Sequence, residues 1–186
     1  MVVADICASA KFSLLGSGVA RVCQALTHDL LATQPRGVRT IQLGGSALAC
    51  RLSDDHLLVL AGNSNRDAVE ARLAELDRVG PLIRRDVTSS LAGFHIFGPR
   101  VEDLLRRVTA LDVSLGAFEL SSCAETQLAG VHAVLVRAPE LTVPSMRIYV
   151  SWDLAEYVWE RLFAAGHELG VTPVGLEAWE RLAAAA

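Results

Sequence analysis

The sequence predicts an α+β fold built from two diverged halves, and two observations support this class. Stretches of alternating apolar residues, typical of strands, are interspersed with stretches in which apolar residues recur every three to four positions, as in amphipathic helices. The chain also repeats itself, because residues 5–26 resemble residues 86–108, with Phe12 matching Phe94 at an offset of 82. Strands that are joined by hairpins and mixed with helices indicate the α+β class.

Each half, residues 1–80 and 82–182, is predicted to contain a strand, a helix, two more strands and a last helix, and the halves are expected to be related by internal pseudo-symmetry. In the second parts of the halves Val59 matches Ile148 at an offset of 89, so a longer connection is expected near 138–145. The predicted strands are 38–43, 46–52, 57–61, 93–97, 124–129, 131–137 and 147–150. The predicted helices are 66–76, 101–108 and 153–165.

Turn-forming and capping residues mark the ends of these elements. Ser151 or Asp153 can cap the helix over 153–165 by accepting one of its first backbone N–H groups. Gly166 can end that helix, because glycine tolerates the left-handed conformation. Gly130 lies between two apolar stretches and predicts a hairpin turn, as does the pair Gly44–Gly45.

Composition limits the classes of function. With 186 residues, 52% of them hydrophobic, the chain can bury a core without disulfide bonds or a structural metal. A net charge of −4 excludes a general nucleic-acid-binding protein. No window reaches the roughly 18 uncharged apolar residues of a membrane span, and Asp5 and Lys11 interrupt any apolar leader. We therefore expect a cytoplasmic protein that has neither nucleic acid nor a membrane as a partner.

Cysteines and histidines predict no metal site. The four cysteines form no C-x-x-C pair, and they are expected to be small buried residues in a reducing compartment. Cys123 has no basic neighbour that would activate it as a nucleophile. No two of the five histidines have the spacing of a metal-binding pair. His95 alternates with Phe94 and Ile96, so its side chain is expected on the outer face of its strand, as a surface histidine or as one whose hydrogen bonds are satisfied, in preference to a catalytic residue.

Several motifs have both a structural and a functional interpretation. Asp54–Asp55 is interpreted as a turn in preference to a catalytic pair. Gly16–Gly18 precedes a helix and could bind an anion, although a turn is favoured. Arg84–Arg85 is interpreted as a solvated linker between the halves, or else as a contact to an acidic partner. Tryptophans cluster in the last 35 residues and indicate core packing or an interface: Trp152, Trp159 and Trp179.

Four segments carry a family resemblance: D-V-T-S at 86–89, I-F-G-P-R at 96–100, R-I-Y-V at 147–150 and G-V-T-P-V-G-L-E-A at 170–178. Together they resemble the folate-binding aminomethyltransferase superfamily, which includes the T-protein of glycine cleavage. The resemblance implies a T-protein-like folate-binding fold over one domain, residues 1–186. It also implies that the β-rich domain into which T-proteins continue at their C-terminus is absent.

The sequence differs where the functional residues of this superfamily would fall. Gly45–Ser46 stands at the position of the catalytic Asp, and Arg147 replaces the Glu that binds pterin. A cation cannot accept hydrogen bonds from the donor edge of a pterin. By this comparison the chain has no catalytic residue, no metal and no bound cofactor of its own, and only Asn65 and Arg147 are remnants of a folate site.

The segment Leu111–Leu128 resembles the gamma subunits of heterotetrameric sarcosine oxidases, through its L-D-V, A-F and C-A-E-T residues. The resemblance implies a non-catalytic subunit that packs on the folate-binding module of the large subunit. FAD, FMN, NAD and tetrahydrofolate are then expected in the larger partner subunits. The implied reaction is oxidative demethylation of an N-methyl amino acid such as sarcosine, with the one-carbon unit passed to tetrahydrofolate or released as formaldehyde.

Two alternatives stay open within the same superfamily. A stand-alone tetrahydrofolate-dependent aminomethyl or methyl transferase would need a carboxylate in its central cavity, from Glu125 or Glu140. A folate-binding accessory protein of iron–sulfur maintenance would carry a K-G-C-Y-x-G-Q-E motif, which this sequence lacks.

Overall fold

The computed structural model describes residues 1–27, 37–42, 46–78, 80–137 and 143–184. Its strands are β1 (Val2–Asp5), β2 (Ala10–Leu15), β3 (Gly37–Gln42), β4 (Ser46–Arg51), β5 (His56–Ala61), β6 (Ile83–Asp86), β7 (Leu91–Phe97), β8 (Ser122–Leu128), β9 (Val131–Arg137), β10 (Ser145–Ser151) and β11 (Thr172–Val174). Its α-helices are α1 (Val19–Thr27), α2 (Arg66–Leu76), α3 (Val101–Leu105), α4 (Ala155–Gly166) and α5 (Leu176–Ala184). Short 3-10 turns lie at Asn63–Asn65, Trp152–Leu154 and His167–Leu169.

This mixed α/β fold is divided into two compact units. The C-terminal unit comprises Met1–Cys7 and Ser90–Ala186, and the N-terminal unit comprises Ala8–Ser89. The sheet of the C-terminal unit has the strand order β11-β1-β7-β10-β9-β8 and is antiparallel except for the β1–β11 pair. The sheet of the N-terminal unit has the order β3-β4-β5-β2-β6 and is antiparallel throughout.

The first strand of each predicted half lies in the sheet formed by the other half. β1 pairs with β7, in the sheet of the C-terminal unit, and β6 pairs with β2, in the sheet of the N-terminal unit. Both pairings have the same register, because Asp5 lies opposite Phe94 and Asp86 lies opposite Phe12. The boundaries of the units therefore differ from the predicted halves 1–80 and 82–182 by this exchange of strands.

Hydrogen bonds just after the two exchanged strands follow one pattern. The carboxylate Oδ1 of Asp5 accepts the backbone N–H of Cys7 at 2.8 Å, and Oδ1 of Asp86 accepts the backbone N–H of Thr88 at 2.9 Å. The side chains of Cys7 and Thr88 then each meet the backbone of the adjacent central strand. Cys7 Sγ accepts the N–H of Gly93 at 3.3 Å, and Thr88 Oγ1 accepts the N–H of Lys11 at 3.0 Å.

Each unit has its own apolar core between its helices and one face of its sheet. In the C-terminal unit Phe94, Ile96 and Ile148 of the sheet are buried with Leu104 of α3 and Leu162 of α4. Burying a side chain of this size contributes about 1.5–3 kcal/mol. In the N-terminal unit the equivalent cluster contains Phe12, Leu14, Val59, Val69 and Leu73.

Most of the predicted elements are confirmed within a few residues. Helix α2 has the predicted bounds 66–76, and the hairpin turn at Gly130 forms with Ala129 and Gly130 at φ values of 51° and 85°. The predicted helix 101–108 is shorter, because α3 ends at Leu105. The predicted turn at Gly44–Gly45 and residues 138–142 of the predicted connection lie outside the described residues.

The interpretation of Arg84–Arg85 as a solvated linker is wrong. Both residues lie in β6, at the edge of the N-terminal unit's sheet. Arg84 is held in place by Asp77, whose Oδ2 is 3.4 Å from Nε, and by Glu70, whose Oε1 is 3.8 Å from Nη1. β6 is a strand because it pairs with β2, so its own charged sequence gives little sign that it forms a strand.

The predicted cap at the start of α4 is wrong, whereas the predicted end at Gly166 is confirmed without the left-handed conformation. No side-chain cap forms at the start of α4, and the Ser151 hydroxyl donates to the Asp153 carboxylate instead. Gly166 ends α4, but in a right-handed conformation, and the left-handed residue is Gly170 at φ 67°. Glycine is required at 166 for another reason, because a Cβ there would lie 2.2 Å from Val171 Cγ2.

We expect Gly16→Ala to destabilise the fold by about 2–3 kcal/mol, because of backbone strain and a clash. Gly16 has φ 134°, and a Cβ at this position would lie 2.5 Å from the carbonyl oxygen of Pro81. Urea denaturation followed by circular dichroism measures the loss. Gly175→Ala is the matched control, since nothing lies within 4 Å of its added Cβ. Equal stability of the two variants would contradict this account of the turn.

Candidate functional site

The candidate site is a group of polar residues on the sheet of the C-terminal unit, on the face opposite its apolar core. Phe94 and Ile96 of β7 face the core, so the intervening His95 faces the other way. Arg147 of β10 lies directly opposite His95 in the antiparallel register. We call His95, Arg147 and the nearby Trp179 the polar face.

His95 lies on the predicted face of β7, away from the apolar core, but this face is buried. Of the two expected kinds of ordinary histidine, it is therefore the hydrogen-bonded one and not the surface one. Its side chain is 1% exposed. Burial, followed by the nearby charge of Arg147, holds the pKa of His95 well below its usual value of 6.5. The imidazole is therefore neutral at pH 7. The alternation of apolar residues predicted the face correctly, but it could not indicate that this second face is buried too.

Trp179 of α5 gives His95 its hydrogen-bond partner. The indole Nε1 donates to Nδ1 of His95 at 2.7 Å, and the two rings meet edge to face with centroids 5.6 Å apart. The ring of Phe97 contacts His95 in the same manner, at 5.7 Å. With Nδ1 accepting, the proton of the neutral imidazole is on Nε2. This contact joins residues 84 positions apart, so the sequence alone gave no sign of it.

The two predicted folate-site remnants lie in different units. Arg147 is half-buried on β10, between β7 and β9. Asn65 is half-buried at the end of a 3-10 turn in the N-terminal unit, where it precedes α2 without capping it through its side chain.

Other sequence-predicted candidates have structural roles. Cys123 is buried, and Ser53 donates to the carboxylate of Asp55 within the predicted turn at Asp54–Asp55. In the Gly16–Gly18 turn, the N–H of Gly16 donates to Asp55 O and that of Gly18 to Pro81 O, so these amides do not point at an anion. Glu125 is exposed on β8 beside His132, 3.6 Å from its Nε2. Glu140 and Gly45 lie outside the described residues, as does the side chain of Ser46.

Two buried cations were missed by the sequence analysis. Lys11 is fully buried and donates from Nζ to Ser9 O at 2.8 Å. Arg137, at the end of β9, pairs with Glu102 of α3 at 3.3 Å and also donates to the Val113 carbonyl. The contacts of Arg137 join the end of β9 to α3 and to the loop at Val113. Their sequence signal is a lone arginine at the end of an apolar stretch.

The polar face does not fit the recognition of a pterin. A pterin offers hydrogen-bond donors from its ring edge, and an arginine has donors only. The acceptor Nδ1 of His95 is already engaged by Trp179. In the described part of the chain no cluster of three or more His, Cys, Asp or Glu residues could hold a metal ion. No helix among the described residues is long and apolar enough to cross a membrane.

Comparisons with known proteins point to one family. The family model described as the GCVT N-terminal domain matches residues 2–185. A 4-methylaminobutanoate oxidase (formaldehyde-forming) from Paenarthrobacter nicotinovorans is 28% identical over 98% of this chain, which spans 23% of that protein. An aminomethyltransferase from Anoxybacillus flavithermus is 26% identical over 96% of this chain, which spans 50% of it. The chain therefore spans half or less of these curated relatives.

One solved structure matches over most of the length of this chain and over most of the length of its own chain. It is the heterotetrameric sarcosine oxidase from Corynebacterium sp. U-96 in complex with pyrrole 2-carboxylate. The TM-score is 0.69 and the identity 18%, and the match covers 92% of this chain and 86% of that one. At this identity the likeness concerns the fold.

We expect the stability of the protein to fall as the pH drops below about 6.5, in part through His95. The folded state keeps His95 neutral, whereas the unfolded chain binds a proton near pH 6.5. The contribution of His95 is therefore fully present above pH 6.5 and decreases below it, by up to about 1.4 kcal/mol per pH unit.

Urea denaturation at pH 7.5, 6.5 and 5.5 measures this dependence. His95→Asn is the matched variant, because the amide oxygen can accept from Trp179 and does not titrate. The variant should lose less stability than the wild type between pH 6.5 and 5.5. The same pH dependence in both proteins would show that His95 is not held neutral.

Proposed function

The chain belongs to the family of the GCVT N-terminal domain, and from this premise we propose that it is a non-catalytic, gamma-type subunit of a heteromeric flavin-dependent oxidase. The complex would demethylate sarcosine or another N-methyl amino acid, and this chain would pack on the folate-binding module of the large subunit. FAD, FMN, NAD and tetrahydrofolate would be bound by the larger partner subunits. As a complex of central one-carbon metabolism it would work in the cytoplasm.

The similarity to two oxidases of methylated amino acids carries this proposal. The fold matches a chain of a heterotetrameric sarcosine oxidase with a TM-score of 0.69. The named activity of the Paenarthrobacter relative, a methylamino acid oxidase that forms formaldehyde, supports the same reaction class.

The polar face supports a role without catalysis. General acid–base chemistry needs a titratable group within hydrogen-bond reach of the substrate. His95 is buried and its Nδ1 accepts from Trp179, and its opposite residue is the cation Arg147. A folate site with a carboxylate acceptor would have to be supplied by another chain.

Two exposed leucines support a contact with a larger subunit. Leu115 and Leu120 are 55% and 58% exposed, and both lie in the segment that resembles the gamma subunits. The two residues are five positions apart in the sequence, and exposed apolar patches are typical of protein interfaces. We assign this segment to the contact with the large subunit.

We also propose that the chain arose by duplication, with internal pseudo-symmetry between its halves. The matching strand orders, the reciprocal exchange of β1 and β6 and the shared hydrogen-bond pattern after each of them support this origin. Gly16 and Gly98 add to it, because both follow the central strand of a half and have φ values of 134° and 132°.

The alternative of a stand-alone tetrahydrofolate-dependent transferase is favoured by one observation, the similarity to aminomethyltransferases over nearly the whole chain. Such an enzyme needs a carboxylate in its cavity. Glu125 is exposed at the edge strand β8 and lies beside His132. A folate-binding accessory protein has no observation of its own in support.

We expect the tagged chain, expressed with its genomic neighbours, to purify in a yellow complex with larger subunits and flavin absorption bands. Leu115→Ser combined with Leu120→Ser should lower the flavin recovered per tagged chain at least fivefold. Ile83→Ser, at another exposed apolar residue, is the control. A colourless chain that is monomeric and stable alone in every such expression would overturn the proposal.

We expect no saturable binding when tetrahydrofolate is titrated into the isolated, folded chain, because Arg147 offers donors where a pterin needs an acceptor. Isothermal calorimetry under anaerobic conditions measures this. The complete complex is the positive control, since its large subunit should bind folate. Stoichiometric binding to the lone chain would instead favour the transferase or the accessory protein.

A further inference from the structure

The C-terminal unit contains a cavity of about 200 Å³ beside the N-terminus of α4, on the helix-covered side of its sheet. Three aromatic side chains, Phe94, Trp152 and Trp159, line it, together with two carboxylates, Asp5 and Glu156. The rings of Phe94 and Trp159 are 5.6 Å apart and tilted by 47°. This cavity is separate from the polar face, because Phe94 and His95 point to opposite faces of β7.

The N-terminal unit shows what occupies the corresponding position there. Arg66, the first residue of α2, places its guanidinium over the ring of Phe12, with Cζ 5.7 Å from the ring centroid. The same guanidinium forms an ion pair with Oδ2 of Asp86 and lies 3.4 Å from Oγ1 of Thr88. Burial alone would raise the pKa of Asp86, but the hydrogen bonds from Thr88 and Arg66 and the Arg66 charge hold it below its usual value.

Every partner of Arg66 has a counterpart that lines the cavity. Asp5 corresponds to Asp86, and Phe94 to Phe12, by strand register. Cys7 corresponds to Thr88 by its hydrogen bonds. The counterpart of Arg66 itself is the first residue of α4, which is Ala155. The arginine side chain is therefore missing from a site that keeps the acid and the ring.

The charges in the cavity are those of a cation site. Oδ1 of Asp5 accepts the Cys7 N–H, and no ion pair is formed by Asp5 or Glu156 within the described ranges. A cation between aromatic faces gains cation–π attraction, which increases when water is excluded. The partial positive charge of a helix N-terminus opposes a cation. Arg66 occupies the same position on α2, so this opposition does not prevent binding.

We propose that this cavity binds one guanidinium group, in the place that Arg66 fills in the other unit. The planar cation donates to Oδ2 of Asp5 and stacks on Phe94, and Glu156 and the two tryptophans close the site around it. The volume corresponds to about seven water molecules, at roughly 30 Å³ each, so it accepts a guanidinium with a short alkyl chain. This binding site goes beyond the proposed function and does not depend on it.

The guanidinium can come from a free small molecule or from an arginine side chain of a bound protein segment. Titration with methylguanidinium and with Nα-acetyl-arginine methylamide distinguishes the two sources. Tenfold tighter binding of the arginine derivative indicates a protein segment as the source. Equal or weaker binding indicates a free small molecule. Both outcomes require the guanidinium group itself to be recognised.

The test follows the indole N–H signals of the three tryptophans by nuclear magnetic resonance during titration at constant ionic strength. Methylguanidinium should move the signals of Trp152 and Trp159 saturably, with a Kd of about 1–10 mM. Trp179 lies in the polar face and is the internal reference. Urea, the neutral analogue, should leave all three signals nearly unchanged over the same range.

Ala155→Arg is the matched variant, because it places the native arginine of the other unit in the cavity. It should abolish the response to methylguanidinium while the Trp179 signal keeps its position, which reports that the unit is folded. Asp5→Asn should weaken methylguanidinium binding at least threefold. This second variant tests the proposal even if Ala155→Arg does not fold. No saturable shift up to 50 mM, equal shifts with urea, or unchanged binding in both variants would overturn the proposal.

Discussion

The reciprocal exchange of β1 and β6 is the constraint on which the rest of the structure depends. Each of these strands is only four residues long and completes the sheet formed by the other predicted half. A short strand is stable only through backbone hydrogen bonds to a neighbour, so each sheet needs a strand from the other half. The exchange also places an aspartate at the end of each strand opposite a buried phenylalanine, where both units build a polar pocket next to a helix.

The two units differ in what occupies this pocket. The N-terminal unit fills its pocket with Arg66, whose charge is satisfied by Asp86 and whose stem covers Phe12. The C-terminal unit has Ala155 at that position and leaves a cavity lined by acids and aromatic rings. On the other face of its sheet, Arg147 stands where the resemblance to T-proteins places the pterin-binding Glu, opposite the buried neutral His95. Loss of the acceptor there is consistent with a chain that supports catalysis in a neighbouring subunit.

The sequence predicted the elements that are defined by local patterns and missed those that depend on distant contacts. The central strands and α2 show strong apolar periodicity, so their positions were confirmed within a few residues. β6 reads I-R-R-D, and neither its charge nor its length indicates a strand without β2 beside it. The face on which His95 lies was predicted correctly, but whether it is a surface or a hydrogen-bonded buried histidine stayed open, because alternation separates two faces and does not show that both are buried. The offset of 89 between the halves matches Arg66 with Ala155. The cavity beside Ala155 became apparent only in the structure, which shows that Asp5 and Asp86 occupy corresponding positions.

The central claim is that this chain is a structural subunit and not the catalyst. The most direct measurement is the anaerobic rate of flavin reduction by sarcosine or another N-methyl amino acid, in the purified complex, with Arg147→Ala and His95→Asn combined in this chain. The account predicts a rate per flavin within twofold of the wild-type complex. A drop of more than tenfold at unchanged flavin content and subunit stoichiometry would place reaction chemistry in this chain and contradict the account.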